Sequence, residues 1–142
     1  MVAMLNERKG PFKLVVTGEA ECWEPALEQI VGPQWLALHR VHSGHELLEV
    51  VEAGQADAAV LDDATDWQLN VLHLLRMIRR MNAILPVVVI TTRRDRRWLE
   101  DALRLAVFSV VTRPLALEEL LRQIQRMMVR LDQAMRNEGP LP

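Results

Sequence analysis

A chain of 142 residues, half of them hydrophobic and a quarter charged, can bury one packed core but is too short for two. Its formal net charge of −2 gives no overall pull toward phosphate backbones or anionic membranes, so direct DNA contact is not expected. The only cysteine, Cys22, excludes an internal disulfide and fits a reducing, cytoplasmic setting.

Residues 1–11 read as an N-terminal tail, with Glu7, Arg8 and Lys9 preceding any apolar run, which is not the order of a signal peptide. No window holds the ~20 uninterrupted apolar residues of a membrane helix, so no membrane span is expected. Five short runs are apolar at consecutive positions, as strands covered on both faces of a parallel sheet must be. They are Leu14–Val16, Trp35–Leu38, Ala58–Leu61, Val87–Ile90 and Val107–Val111.

Between the runs the period becomes helical, with apolar residues on one stripe. The stripes are Trp23, Ala26, Leu27 and Ile30; then Leu47, Leu48 and Val51; then Val71, Leu74, Leu75, Ile78 and Met81; then Leu99, Ala102, Leu103 and Ala106. A fifth and longest one runs through Leu117, Leu120, Leu121, Ile124, Met128, Leu131 and Met135. Gly32, Pro33, Ser43, Gly44, Gly54, Pro86 and Pro114 fall between elements. Five alternations of strand and helix predict right-handed βαβ units and a doubly wound, flavodoxin-like (βα)5 fold. One domain over residues 12–136 follows, with an extended fifth helix and a disordered tail at 137–142.

Ligand sites in such sheets form beyond the carboxyl ends of the strands. Those ends carry Thr17-Gly18-Glu19, Asp62-Asp63, Thr91-Thr92 and Thr112-Arg113-Pro114. A carboxylate nucleophile, a hydroxyl donor and a cation are the residue types needed to take up a phosphoryl group, and Asp62, Thr91 and Arg113 supply one of each. Alone, Asp62 is equally readable as a turn or cap residue after a strand.

With Asp57-Ala-Ala-Val-Leu-Asp62, Pro86-Val-Val-Val-Ile-Thr91 and Val110-Val-Thr-Arg113-Pro114, the chain resembles the CheY-like response-regulator receiver domains from about residue 13 to 128. The resemblance implies a sheet of order 2-1-3-4-5 and a phosphoacceptor at Asp62, served by a histidine kinase. It also implies a Thr91 hydroxyl that bonds the phosphoryl oxygen and a lysine at the position of Arg113. Active receivers have two acids at the end of the first strand that help hold Mg2+; here those positions are Thr17 and Gly18. Losing both should weaken the metal site badly, leaving Asp62, with Glu19, Glu21, Asp63 or Asp66 as substitutes, although such acids are more simply loop or helix-start residues. Arg113 can grip a carboxylate with two bonds where lysine cannot, or simply serve as lysine does. Val110 stands where many receivers place an aromatic switch residue.

These departures describe a degenerate receiver that works by binding a protein partner, a histidine kinase or a downstream signalling protein, and turns over no substrate. Two alternatives remain: an active receiver phosphorylated on Asp62, and a non-signalling flavodoxin-like ligand binder, disfavoured because only one glycine follows the first strand. No output domain follows the fifth helix in the sequence, which suggests a stand-alone module.

Other features carry less. His39, His42 and His45 are close in sequence but cross a strand end, a turn and a helix start, so they need not converge on zinc. The cluster Arg93, Arg94, Arg96 and Arg97 around Asp95, a candidate cap, offers a basic docking patch or a solvated loop. The last helix repeats Leu121, Met128 and Met135 at heptad spacing, which suggests homodimerisation along it. Cys22 reads as a buried, inert thiol.

Overall fold

The computed structural model describes residues 11–18, 23–32, 34–65, 67, 69–114 and 116–137, the last with side chains to residue 134. Five parallel strands, β1 (Phe12–Val16), β2 (Leu36–Arg40), β3 (Ala58–Asp62), β4 (Val87–Thr91) and β5 (Ser109–Thr112), form one sheet in the order β2-β1-β3-β4-β5. Five helices alternate with them: α1 (Glu24–Val31), α2 (Gly44–Glu52), α3 (Val71–Met81), α4 (Arg96–Arg104) and α5 (Leu117–Asn137). The register sets Asp62 opposite Ile90 and Thr91 opposite Thr112, so the ends of β3, β4 and β5 lie side by side.

The consecutive apolar residues of the strands have a simple cause: the sheet is covered on both faces. Leu14, Val16, Val60, Val88, Ile90 and Val111 pack against α1 and α5. Their strand neighbours Val15, Ala59, Leu61, Val87 and Val89 pack against α2, α3 and α4. Each fully buried Leu, Ile or Val contributes about 1.5–3 kcal/mol.

Local signals set the helix starts. Ser43 accepts the Glu46 N–H at 3.0 Å and Asn70 accepts the His73 N–H at 3.1 Å, each satisfying a first-turn amide. Asp95 occupies the N-cap position of α4, but its carboxylate goes to Arg93, with contacts of 3.0 and 3.1 Å.

Several sequence expectations need correction. On α4 Ala102 is buried and Leu99 packs half-buried on the same core, as the stripe predicts, but Leu103 is 63% exposed and Ala106 lies past the helix with φ 58°. Trp98, which the stripe omitted, joins this face and brings the largest apolar surface on the helix. Ile30 and Met81 are likewise exposed. The fifth strand begins at Ser109 instead of Val107, and α5 runs on to Asn137, which the sequence placed in the tail.

The largest correction concerns α5. Leu121 and Met128, expected to face a partner helix, are buried in the domain's own core with Ile124 and Met127. The sheet already covers that stripe. The side chain of Met135 lies outside the described residues.

Arg79 ties the amino-terminal end of the sheet together. Its Nε donates to Leu105 O at 2.7 Å, Nη1 to Leu85 O at 2.7 Å and Nη2 to Ala106 O at 3.1 Å. One planar guanidinium thus closes the turn after α4 against the approach to β4.

Candidate functional site

Asp62 ends β3 and is 1% exposed. The sequence holds it there through β1, its neighbour in the sheet. The buried Thr17 hydroxyl accepts the Asp62 N–H at 2.8 Å and donates to the Asp62 carbonyl at 3.0 Å. Gly18 follows with φ 76°, and a Cβ there would lie 2.9 Å from the Asp62 Cβ. Only glycine suits both the left-handed backbone and the close approach.

Each oxygen of the Asp62 carboxylate has a donor. Oδ1 accepts the Ala64 N–H at 2.9 Å and Oδ2 accepts Arg113 Nη2 at 2.5 Å. Burial pushes the Asp62 carboxyl above its ordinary range, while the Ala64 N–H and the Arg113 guanidinium pull it down without cancelling that effect. Arg113 lies just past β5, with its N–H on Thr91 O at 2.9 Å and its carbonyl accepting Arg94 Nη2 at 2.9 Å. Its own Nε is buried and has no hydrogen-bond partner among the described residues.

Thr91 departs from expectation. The residue is fully buried, and its hydroxyl donates to Asp63 Oδ2 at 2.6 Å instead of turning to Asp62. The same oxygen accepts the Arg93 N–H at 3.0 Å, which links β4 to the loop before α4. The structure therefore joins Asp62 to Arg113 directly and places Thr91 one residue aside, on Asp63.

Of the substitute metal ligands, Asp63 spends one oxygen, Oδ2, on the Thr91 hydroxyl, while Glu19, Glu21 and Asp66 lie outside the described residues. Mg2+ demands near-octahedral oxygen ligands. Both Asp62 oxygens have donors, the position of one lost acid is a backbone-bonded threonine, and the other would clash with Asp62. No group of three acidic, imidazole or thiol side chains converges among the described residues. These residues do not fit a Mg2+ site.

The remaining candidates separate. His39 lies 3.8 Å from Glu46 and His45 2.8 Å from Glu49, each partnered along the surface instead of gathered on a metal. Arg96 is exposed and pairs with Glu100 at 3.0 Å, and Arg97 is exposed as well. Val110 is half-buried against the α2–α4 side. Cys22 lies outside the described residues.

Sequence reasoning missed the double bond from Thr17 and the hold of Arg94 on Arg113. The first was within reach, since order 2-1-3 sets the ends of β1 and β3 side by side. The second depends on a loop path that no periodicity encodes.

The response regulator receiver domain model matches residues 19–125, most of the chain. The chain belongs to that family, the receiver domains of two-component signalling, and the flavodoxin-like binder outside signalling is thereby set aside. The fold agrees with solved receivers. That of the TMAO respiratory system response regulator TorR is 24% identical over 85% of this chain and 99% of its own, with TM-score 0.67. The signal receiver domain of a putative Luxo repressor protein from Vibrio parahaemolyticus is 12% identical over 92% and 99%, with TM-score 0.75. A CheY-like receiver domain protein from Methanospirillum hungatei is 12% identical over 87% and 98%, with TM-score 0.70. A search of curated protein sequences found no match. No described helix is long and apolar enough to cross a membrane.

Proposed function

We propose that this receiver is degenerate: it relays its signal through contact with a protein partner, a histidine kinase or a downstream signalling protein, with phosphorylation of Asp62 weak or absent. The observation that carries the reading is the closed state of Asp62. A nucleophilic carboxylate must present a free oxygen to the incoming phosphorus, and the incoming charge must be neutralised. Here Arg113 and the Ala64 N–H hold both oxygens, and the neighbouring β1 end offers a hydroxyl latch where metal-binding acids would be needed. Arg113 supplies a resident positive charge in place of a metal.

Pairing of two copies along α5 would have to use the outer face of that helix, because Leu121 and Met128 face the sheet. The decisive experiment incubates the pure protein with Mg2+ and acetyl phosphate and measures intact mass. The expected spectrum is that of the unmodified chain; stoichiometric phosphorylation at Asp62 would restore the active-receiver reading.

A further inference from the structure

We propose that a cleft beside Asp63 is a second, separate site, built to bind a small organic anion with an apolar body. The cleft has a volume of about 390 Å3, within the range of small-molecule pockets. It opens at the carboxyl ends of β3 and β4, where open α/β sheets bind ligands. Leu69, Leu72 and Trp98 give it an apolar wall; Arg76, Arg93 and Asp63 give it charge.

The charges are placed asymmetrically. Arg76, exposed in the second turn of α3, has no ion pair among the described residues, so its guanidinium is available to an acid group. Arg93 is fixed: it lies 5.5 Å over the Trp98 ring and chelates Asp95, which makes it wall instead of mobile arm. Asp63 accepts the Thr91 hydroxyl on Oδ2, and its Oδ1 has no hydrogen bond among the described residues, so the residue brings an acceptor to the cleft it lines. A ligand with an acid at one end, an N–H or O–H donor at the other and an apolar body between them matches all three features. Inorganic phosphate matches one, leaving the apolar wall unused and meeting repulsion from Asp63. A divalent cation meets two arginines.

The contrast with Asp62 is one of access. Asp62 is sealed, whereas Asp63 is half-buried and lines open space. The cleft also touches both ends of a short relay, Asp63 to the Thr91 hydroxyl to the Arg93 N–H, which fixes the loop entering α4. Occupancy would therefore bear on the start of α4 without any covalent change.

The test is a fluorescence titration of the full chain with 2-anilinonaphthalene-6-sulfonate, an aryl sulfonate whose N–H stands at the opposite end of the ring system from its acid group. The expected result is a single site, weakened about tenfold by Arg76→Ala, the loss of one charge-assisted contact, and abolished by Leu72→Glu. Arg126→Ala on the outer face of α5 should leave it unchanged, and millimolar inorganic phosphate should not displace the dye. Arg76 is exposed and Leu72 half-buried, and thermal melts of both variants check that they fold. The proposal is overturned if both cleft variants bind within twofold of the parent, if Arg126→Ala removes binding, or if phosphate displaces the dye, which would make the cleft a simple anion site. Phosphorylation of Asp62 in the mass experiment would sink the degenerate-receiver reading and leave this titration unaffected.

Discussion

The two rims of the sheet's carboxyl end solve the same problem by different means. At the β1 rim, Thr17 and Gly18 fix Asp62 by neutral hydrogen bonds to its backbone and by close packing. At the β4–β5 rim, Arg113 and Arg94 fix it by charge, one guanidinium on the carboxylate and the other on the carbonyl of the first. The comparison shows that the central aspartate is held from two sides, by hydrogen bonds to its backbone and by a guanidinium on its carboxylate.

Removing the charged side should cost most. Arg113→Ala leaves a buried carboxylate with one N–H donor, and breaking such a pair costs about 3 kcal/mol or somewhat less here, because Arg113 is 27% exposed. Urea unfolding at pH 7 measures it; a loss no larger than that of an exposed ion pair would mean Asp62 is not sealed. Removing the neutral side should cost less. Thr17→Val keeps the shape and deletes both bonds to the Asp62 backbone, for about 2 kcal/mol. If the order of the two variants were reversed, the neutral hydrogen bonds to the backbone and not charge would be the main restraint on Asp62.

The smallest effect is a slope. Because burial raises the folded-state pKa of Asp62, the folded protein binds more protons than the unfolded chain above the unfolded value of about 3.9. That group's contribution is therefore fully present below that pH and is lost as pH rises through its folded pKa. Asp62→Asn should gain stability relative to the parent across this window, read from melts at successive pH values. A difference independent of pH would show that Arg113 and Ala64 fully offset the burial.

The fold was legible in the sequence because it rests on periodicity. The unbroken β-branched run Val87–Ile90 suits a strand covered on both faces, and Gly54, Pro86 and Pro114 mark breaks that the structure also leaves between elements. The register of α4 was only partly legible: Ala102 and Leu99 were placed on the core side, but Leu103 makes as good a stripe with them as Trp98 does, and only the burial of the indole decides between the two. At the site, residue types were readable and directions were not. Thr91 was identifiable as a buried donor, but Asp62 and Asp63 are adjacent carboxylates, and which one it meets depends on a loop. The heptad on α5 misled for a related reason, since a helix against a sheet and a helix against a helix bury similar stripes.

Arg79 bears on motion. By bonding the carbonyls of Leu105 and Ala106 it pins the far end of α4 to the floor of the sheet, while the near end is tied by the Arg93 N–H on the Thr91 hydroxyl, by Arg94 on the Arg113 carbonyl and by the buried Trp98 indole. A rod tied at both tips does not slide like a piston, and moving it would mean breaking the polar ties that precede α4 and lifting the Trp98 indole out of the core.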